Sequence, residues 1–164
     1  MNVKNATLAG VLLAAGILAL VGAPSGAQAA EPSRHAFNLL GESVGLVGYD
    51  PVSYFPEGGS KPVKGLISIS VEHEGVSYRF ASEDHKAAFV KNPSKYLPAY
   101  GGWCAWAVAE LGKRVDVDPQ SYLLRNGQLL VFYRDAALDT RAMFLENPDA
   151  LYRKGEANWP ALSR

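Results

Sequence analysis

The chain of 164 residues has a single cysteine, Cys104. One thiol cannot close a disulfide within the chain, so a covalently stapled scaffold is excluded and the core must supply the stability. There is no Cys-x-x-Cys pair, glycine-rich phosphate loop, nucleophile elbow or paired-carboxylate pattern. Ser/His/Asp hydrolysis in particular has no motif to support it. Charge of one sign is also lacking, since 16 Lys and Arg balance 16 Asp and Glu. That balance favours neither nucleic acid nor an anionic membrane as a partner.

Long apolar runs are scarce as well. Lys4 precedes an uncharged apolar run from Ala6 to Val21, Pro24 and Gly26 break it, and Ala27-Gln28-Ala29 follows. A bilayer span needs about 20 apolar residues, and this run is shorter and ends in small residues. The order predicts a secretory signal peptide over 1–29, cut after Ala29. No cysteine lies near that cut, so a lipid anchor is not expected there. The expected location is periplasmic or secreted, with no membrane attachment after cleavage. Loss of Lys4 leaves the mature chain one net negative charge. Residues 30–164 suffice for one core and are short for two independent ones. Three Trp, eight Tyr and six Phe predict that the core is aromatic. In an oxidising compartment a lone thiol is exposed to oxidation and mispairing, which makes its placement informative.

Residues 30–43 read as a flexible lead-in. Asp50-Pro51 predicts a capped helical turn over Val52 to Phe55. "LISISVE" at 66–72 alternates as a half-buried strand, His73-Glu74-Gly75 turns, and Val76 to Phe80 returns to make a hairpin. Ser82 is a good N-cap for a helix over about 83–91, with Phe89 and Ala88 toward the core, and Asn92-Pro93 ends it. The second half repeats this order. "DPVSY" at 50–54 recurs as "DPQSY" at 118–122, Glu74-Gly75 parallels Asn126-Gly127, and Phe89-x-x-Asn92-Pro93 parallels Phe144-x-x-Asn147-Pro148. Each unit is expected to hold a DP turn, a hairpin, a helix ended by Asn-Pro and a short terminal helix. Pro98 to Lys113 then becomes the linker, with Cys104 at the junction of the two halves, where ligand clefts are common.

Cys104 follows Gly101-Gly102 and precedes an expected helix, Ala105 to Leu111. A thiol at a helix start is favoured as thiolate by unpaired N–H groups, the form that attacks disulfides and peroxides and binds soft metals. Against this, free cysteine is among the most buried residue types and is often an inert small hydrophobe. His85 falls in the first turns of the helix after the hairpin, whereas His73 is at the hairpin tip and His35 in the lead-in. Together Cys104 and His85 form a thiolate–imidazole pair suited to a soft ion or to thiol activation, if the fold brings them together. Tyr49, Asp50 and Tyr54 are candidates to line the same cleft, or an ordinary cap beside core aromatics. Trp103 and Trp106 flank the thiol, as core or as a shield against bulk oxidants.

"VGYDPVSYF", "VSYRFASEDHKAAFVKNPSKYLPAYGGWCAWAVA", "DPQSYLLRNGQLLVFY" and "ANWPAL" resemble secreted bacterial YHS-domain proteins over about residues 44–162. In that family some members carry selenocysteine at the position matching Cys104, which implies a chemical role for the chalcogen. Other YHS domains have cysteines read as metal ligands in patterns like "DPVCG" and "FCSxxC". The matching positions here are Ser53, Ala81 and His85, so a cysteine-rich metal site is not implied.

The expectations are therefore a small α+β domain of antiparallel hairpins with short packed helices, in two weakly repeated halves, with 44–164 as the YHS-like domain. The leading functional expectation is soft-metal (copper-like) or redox-linked binding at Cys104 with His85. The alternatives are a one-cysteine oxidoreductase or peroxidase cycling through sulfenate, and a structural or partner-binding domain with an inert thiol.

Overall fold

In the computed structural model, which describes residues 33–164, the chain order is β1 (Leu39–Leu40), β2 (Val44–Gly45), β3 (Leu66–His73), β4 (Val76–Phe80), α1 (Glu83–Lys91), α2 (Pro93–Tyr96), α3 (Ala105–Leu111), β5 (Asp118–Arg125), β6 (Gln128–Phe132), α4 (Thr140–Glu146) and α5 (Pro148–Leu162). The signal peptide expected over 1–29 lies outside the described residues. The architecture is α+β, with a four-stranded sheet ordered β1-β2-β4-β3 and a two-stranded sheet of β5 and β6.

Both hairpins close through turn pairs at positive φ, Glu74-Gly75 and Asn126-Gly127. Such turns match the right-handed twist of the paired strands. Both hairpins also carry the same irregularity. Leu66 pairs with Phe80 but Ser70 with Arg79, and Asp118 pairs with Phe132 but Tyr122 with Val131. In each case the longer strand bulges out over three residues. Each hairpin is followed by a capped helix. Ser82 Oγ accepts from His85 N at the start of α1, and Asp139 accepts from Arg141 N and Ala142 N at the start of α4. Asn92 and Asn147 end those helices in nearly the same conformation, φ/ψ −152/74 and −148/65, and Pro93 and Pro148 open the next ones.

The two copies are therefore real, but their register differs from the sequence expectation. "DPQSY" does not repeat the capped turn of "DPVSY". Asp50 caps a 3-10 turn, Pro51–Tyr54, whereas Asp118 to Tyr122 is the bulged part of β5. A bulge tolerates Pro119 because it leaves ladder N–H positions unused. The segment matching 46–50 is instead 100–104. Leu46, Val47 and Gly48 have φ of 50°, 53° and 78°, and Tyr100, Gly101 and Gly102 have 54°, 58° and 84°. Tyr49 N bonds Leu46 O as Trp103 N bonds Tyr100 O, and Asp50 N reaches Val63 O at 2.9 Å as Cys104 N reaches Val115 O at 3.0 Å. The parallel pairing of Val44 with Ser77 recurs as the Pro98–Leu129 bridge. The copies are thus consecutive, about 44–97 and 98–151. Pro98 to Lys113 is the beginning of the second copy, not a linker, and α3 stands where the first copy has a 3-10 turn. The terminal helix of the second copy, α5, is also longer than expected, at 15 residues.

Residues 33–43 are not a free lead-in. Asn38 N bonds Gly101 O at 2.9 Å, its Nδ2 bonds Gly102 O at 3.2 Å, and β1 pairs with β2. Gly101 must lack a side chain here, because a Cβ would lie 1.8 Å from Ala36 O.

The cores of the two copies meet at β6. Leu129 and Val131 pack with Val52, Tyr54, Tyr78, Phe80 and Phe89, while Leu130 and Phe132 pack with Ala105, Val108, Phe144 and Leu151. Phe89 sits 5.2 Å from Phe80, and Phe144 sits 5.2 Å from Phe132. Tyr54 also crosses between copies, donating to Pro119 O at 3.0 Å. Burial raises its phenol pKa well above the ordinary value, so the hydroxyl stays a donor. Phe132→Ala is expected to lower unfolding free energy by about 3–5 kcal/mol. Urea unfolding followed by tryptophan emission and far-ultraviolet dichroism should show both signals shifting together in one transition.

Candidate functional site

The equivalence of the copies places Asp50 and Cys104 at the same backbone position, the residue before a helical turn. Their φ/ψ values are −73/115 and −57/114. Each reaches across to the helix that follows its hairpin, and the residues met there, His85 and Thr140, each lie seven residues before the Asn that ends the helix, α4 being two residues shorter at its start.

In the first copy the contact is polar and fully committed. Asp50 is 0% exposed. Its Oδ1 accepts from Val52 N at 2.8 Å, and its Oδ2 accepts from Ala81 N at 2.8 Å. Oδ2 also lies 2.6 Å from His85 Nδ1. A carboxylate is an acceptor, so Nδ1 carries the proton and Nε2 is the free nitrogen of the ring. The His85 side chain is 20% exposed. Three donors on one buried carboxylate supply the compensation that burying a charge requires.

In the second copy the contact is a thiol on a hydroxyl. Cys104 is 0% exposed, and Sγ lies 3.3 Å from Thr140 Oγ1. Thr140 Oγ1 donates its one proton to Tyr133 O at 2.7 Å. It can therefore only accept from the sulfur, and Cys104 is the donor. Cys104 O accepts from Val108 N at 3.0 Å, the first bond of α3. The thiol is thus set in the wall between α3 and α4.

Cys104 and His85 belong to different copies, and each has a partner in its own. The fold does not pair them with each other. Among the described residues no three His, Cys, Asp or Glu side chains converge as metal ligands. Tyr49 and Trp103, which match each other, stand beside the two tethers and are partly buried. Gln120 Nε2 donates to the Tyr49 hydroxyl at 3.3 Å, and the Lys64 ammonium lies 5.1 Å from its ring centre. Trp106 is partly buried against the second cluster. His73 sits edge-on to Phe89 at 5.8 Å, and the His35 carbonyl accepts from Arg114. Thr140 was not singled out from sequence, yet its offset of 55 from His85 is the one already visible in Phe89 and Phe144.

Asp50→Ala is expected to destabilise the protein by about 3 kcal/mol or more, because it strands two backbone donors and an imidazole. Cys104→Ala removes one weak donor and leaves a small void, and is expected to cost about 1 kcal/mol. Chemical denaturation of both variants checks the ranking, and nitrogen NMR of His85 should show the Nδ1–H tautomer in the wild type.

No family model, curated protein or solved structure matches the chain.

Proposed function

We propose that the protein is an exported YHS-like binding module in which Cys104 is a buried structural tether and ligands are met by side chains around it. The observation that carries this reading is positional. Cys104 stands where the first copy has Asp50, and its sulfur reaches Thr140 as Asp50 reaches His85. A position that ties a turn to a helix in both copies has a shared mechanical task, whatever the chemistry of the residue.

The same geometry weighs against the two chemical alternatives. A peroxidatic or disulfide-attacking sulfur needs access and thiolate character. Cys104 is 0% exposed and donates to a hydroxyl whose own proton is engaged elsewhere. A soft ion shared by Cys104 and His85 needs both tethers to open, and the described residues offer no third ligand. Among the described residues, Cys104 and His85 without a third ligand do not fit a closed copper-like centre. The selenocysteine implied by the family resemblance at this position remains the argument for a reactive chalcogen, and it makes the thiol measurement the decisive one.

In native buffer Cys104 is expected to react with a bulky aromatic disulfide reagent at least about a hundredfold more slowly than in denaturant, as burial dictates. Fast labelling of the folded protein, or retention of one equivalent of Cu(I) or Hg(II) that Cys104→Ser abolishes, overturns the tether reading.

A further inference from the structure

The start of the second copy carries a cationic, aromatic pocket that the tether does not use. It lies where the segment 33–41 crosses Trp103, as two depressions of about 260 and 440 Å³ that share Leu39. In the larger one, Arg34, His35 and Arg114 form the polar wall, Phe37 and Trp103 form the apolar one, and no carboxylate lines it. One acid, Asp116, lines the smaller depression with Leu39 and Val117.

Arg114 is held in place. Its Nη1 donates to His35 O at 2.5 Å, and its guanidinium carbon is 5.9 Å from the Trp103 ring centre. Among the described residues the ion pairs involve Arg125 and Arg134 but neither Arg34 nor Arg114. What is particular to this depression is that two guanidinium groups line it together with two aromatic rings and no carboxylate. The indole N–H of Trp103 is buried and has no acceptor among the described residues. Native proteins leave few buried donors in that condition, and each asks for a reason.

We propose that this pocket binds an organic oxyanion with a flat apolar body, of which an aromatic carboxylate is the simplest. The guanidinium forks of Arg34 and Arg114 match a carboxylate, as a planar bidentate donor does. The ring of the ligand lies against Phe37 and Trp103. The larger depression, about 440 Å³, has the size of small-molecule sites and exceeds what an inorganic anion fills. This inference rests on the binding-module reading, for which it names a ligand class.

The test titrates the purified protein with benzoate, inorganic phosphate and benzyl alcohol, following the Trp103 indole resonance by NMR. Benzoate is expected to saturate and to move that resonance, phosphate to bind about tenfold more weakly or worse, and benzyl alcohol not to bind. Arg34→Gln, which removes no side-chain hydrogen bond among the described residues, and Arg114→Gln are each expected to weaken benzoate about tenfold or more, the size of a lost charge-assisted bond. Lys95→Gln, outside the pocket, should leave it unchanged. Absence of saturation, or equal binding by the Arg34→Gln/Arg114→Gln double variant with its fold intact by dichroism, overturns the site. Phosphate binding as tight as benzoate overturns the aromatic part. These outcomes are separable from the thiol measurement: a reactive Cys104 removes the tether reading alone, and failed benzoate binding removes this pocket alone.

Discussion

One strand with two buried faces holds the molecule together. Gln128 aside, every residue of β6 is interior, and alternate side chains belong to different cores: Leu129 and Val131 to the first, Leu130 and Phe132 to the second. A strand covered on both faces reads as an uninterrupted apolar run, and "LLVF" is one. The first copy would be left with an open face without Leu129 and Val131, and the second would lose the aromatic floor under Phe144. Two duplicated units of about 54 residues are each near the lower limit for a stable core. Sharing one strand makes them a single domain, and it fixes the two tethers in one rigid frame.

The tethers show what duplication permits at a fixed position. The backbone demand is the same in both copies: a residue that ends an extended step, bonds a distant carbonyl through its N–H, and pins the turn to the next helix. Asp50 meets it with three charge-assisted acceptor contacts. Cys104 meets it by filling space and donating one weak bond, with Thr140 passing the polarity on to Tyr133 O. The carboxylate is therefore the more consequential member, since removing one partner of a buried charge strands the rest. The thiol is tolerant by comparison. That difference follows from acceptor count, not from any difference in burial, because both residues are fully enclosed.

Much of this frame was legible in the sequence. The first hairpin, α1 with its Ser82 cap, the Asn-Pro helix ends and the helix Ala105–Leu111 follow from turn and capping chemistry, whereas the alternation expected in β3 is absent, with Leu66 and Ile67 exposed beside the bulge. The register of the repeat did not, because the longest shared string, D-P-x-S-Y, occurs in segments with unrelated conformations. What relates Asp50 to Cys104 is a run of positive φ angles and a backbone bond to a distant carbonyl, and neither leaves a shared letter pattern beyond a glycine and an aromatic, Gly48-Tyr49 and Gly102-Trp103. The same limit hid the docking of 33–43. Its anchors are the Asn38 amide and the bare Gly101 backbone, contacts spanning more than sixty residues that no local propensity encodes.

Sequence reasoning also considered Cys104 with His85, if the fold brought them together, and in the structure each contacts a partner within its own copy. Each is one half of a repeated contact whose other half was filled differently in the other copy. An imidazole stands opposite a carboxylate, and a hydroxyl stands opposite a thiol, so the two chemically notable residues are notable at different ends of the same tether. This also accounts for a lone thiol in a protein expected to leave the reducing cytoplasm. Enclosed between α3 and α4 and engaged as a donor to Thr140, the sulfur lacks the access that oxidation and exchange require. What the tethers leave free to vary is the surface beside them. Tyr49 under Lys64 and Trp103 under Arg114 are the same aromatic step with a cation over it in both copies. Only at Trp103 does the crossing of the N-terminal segment add a second guanidinium and turn that step into a pocket.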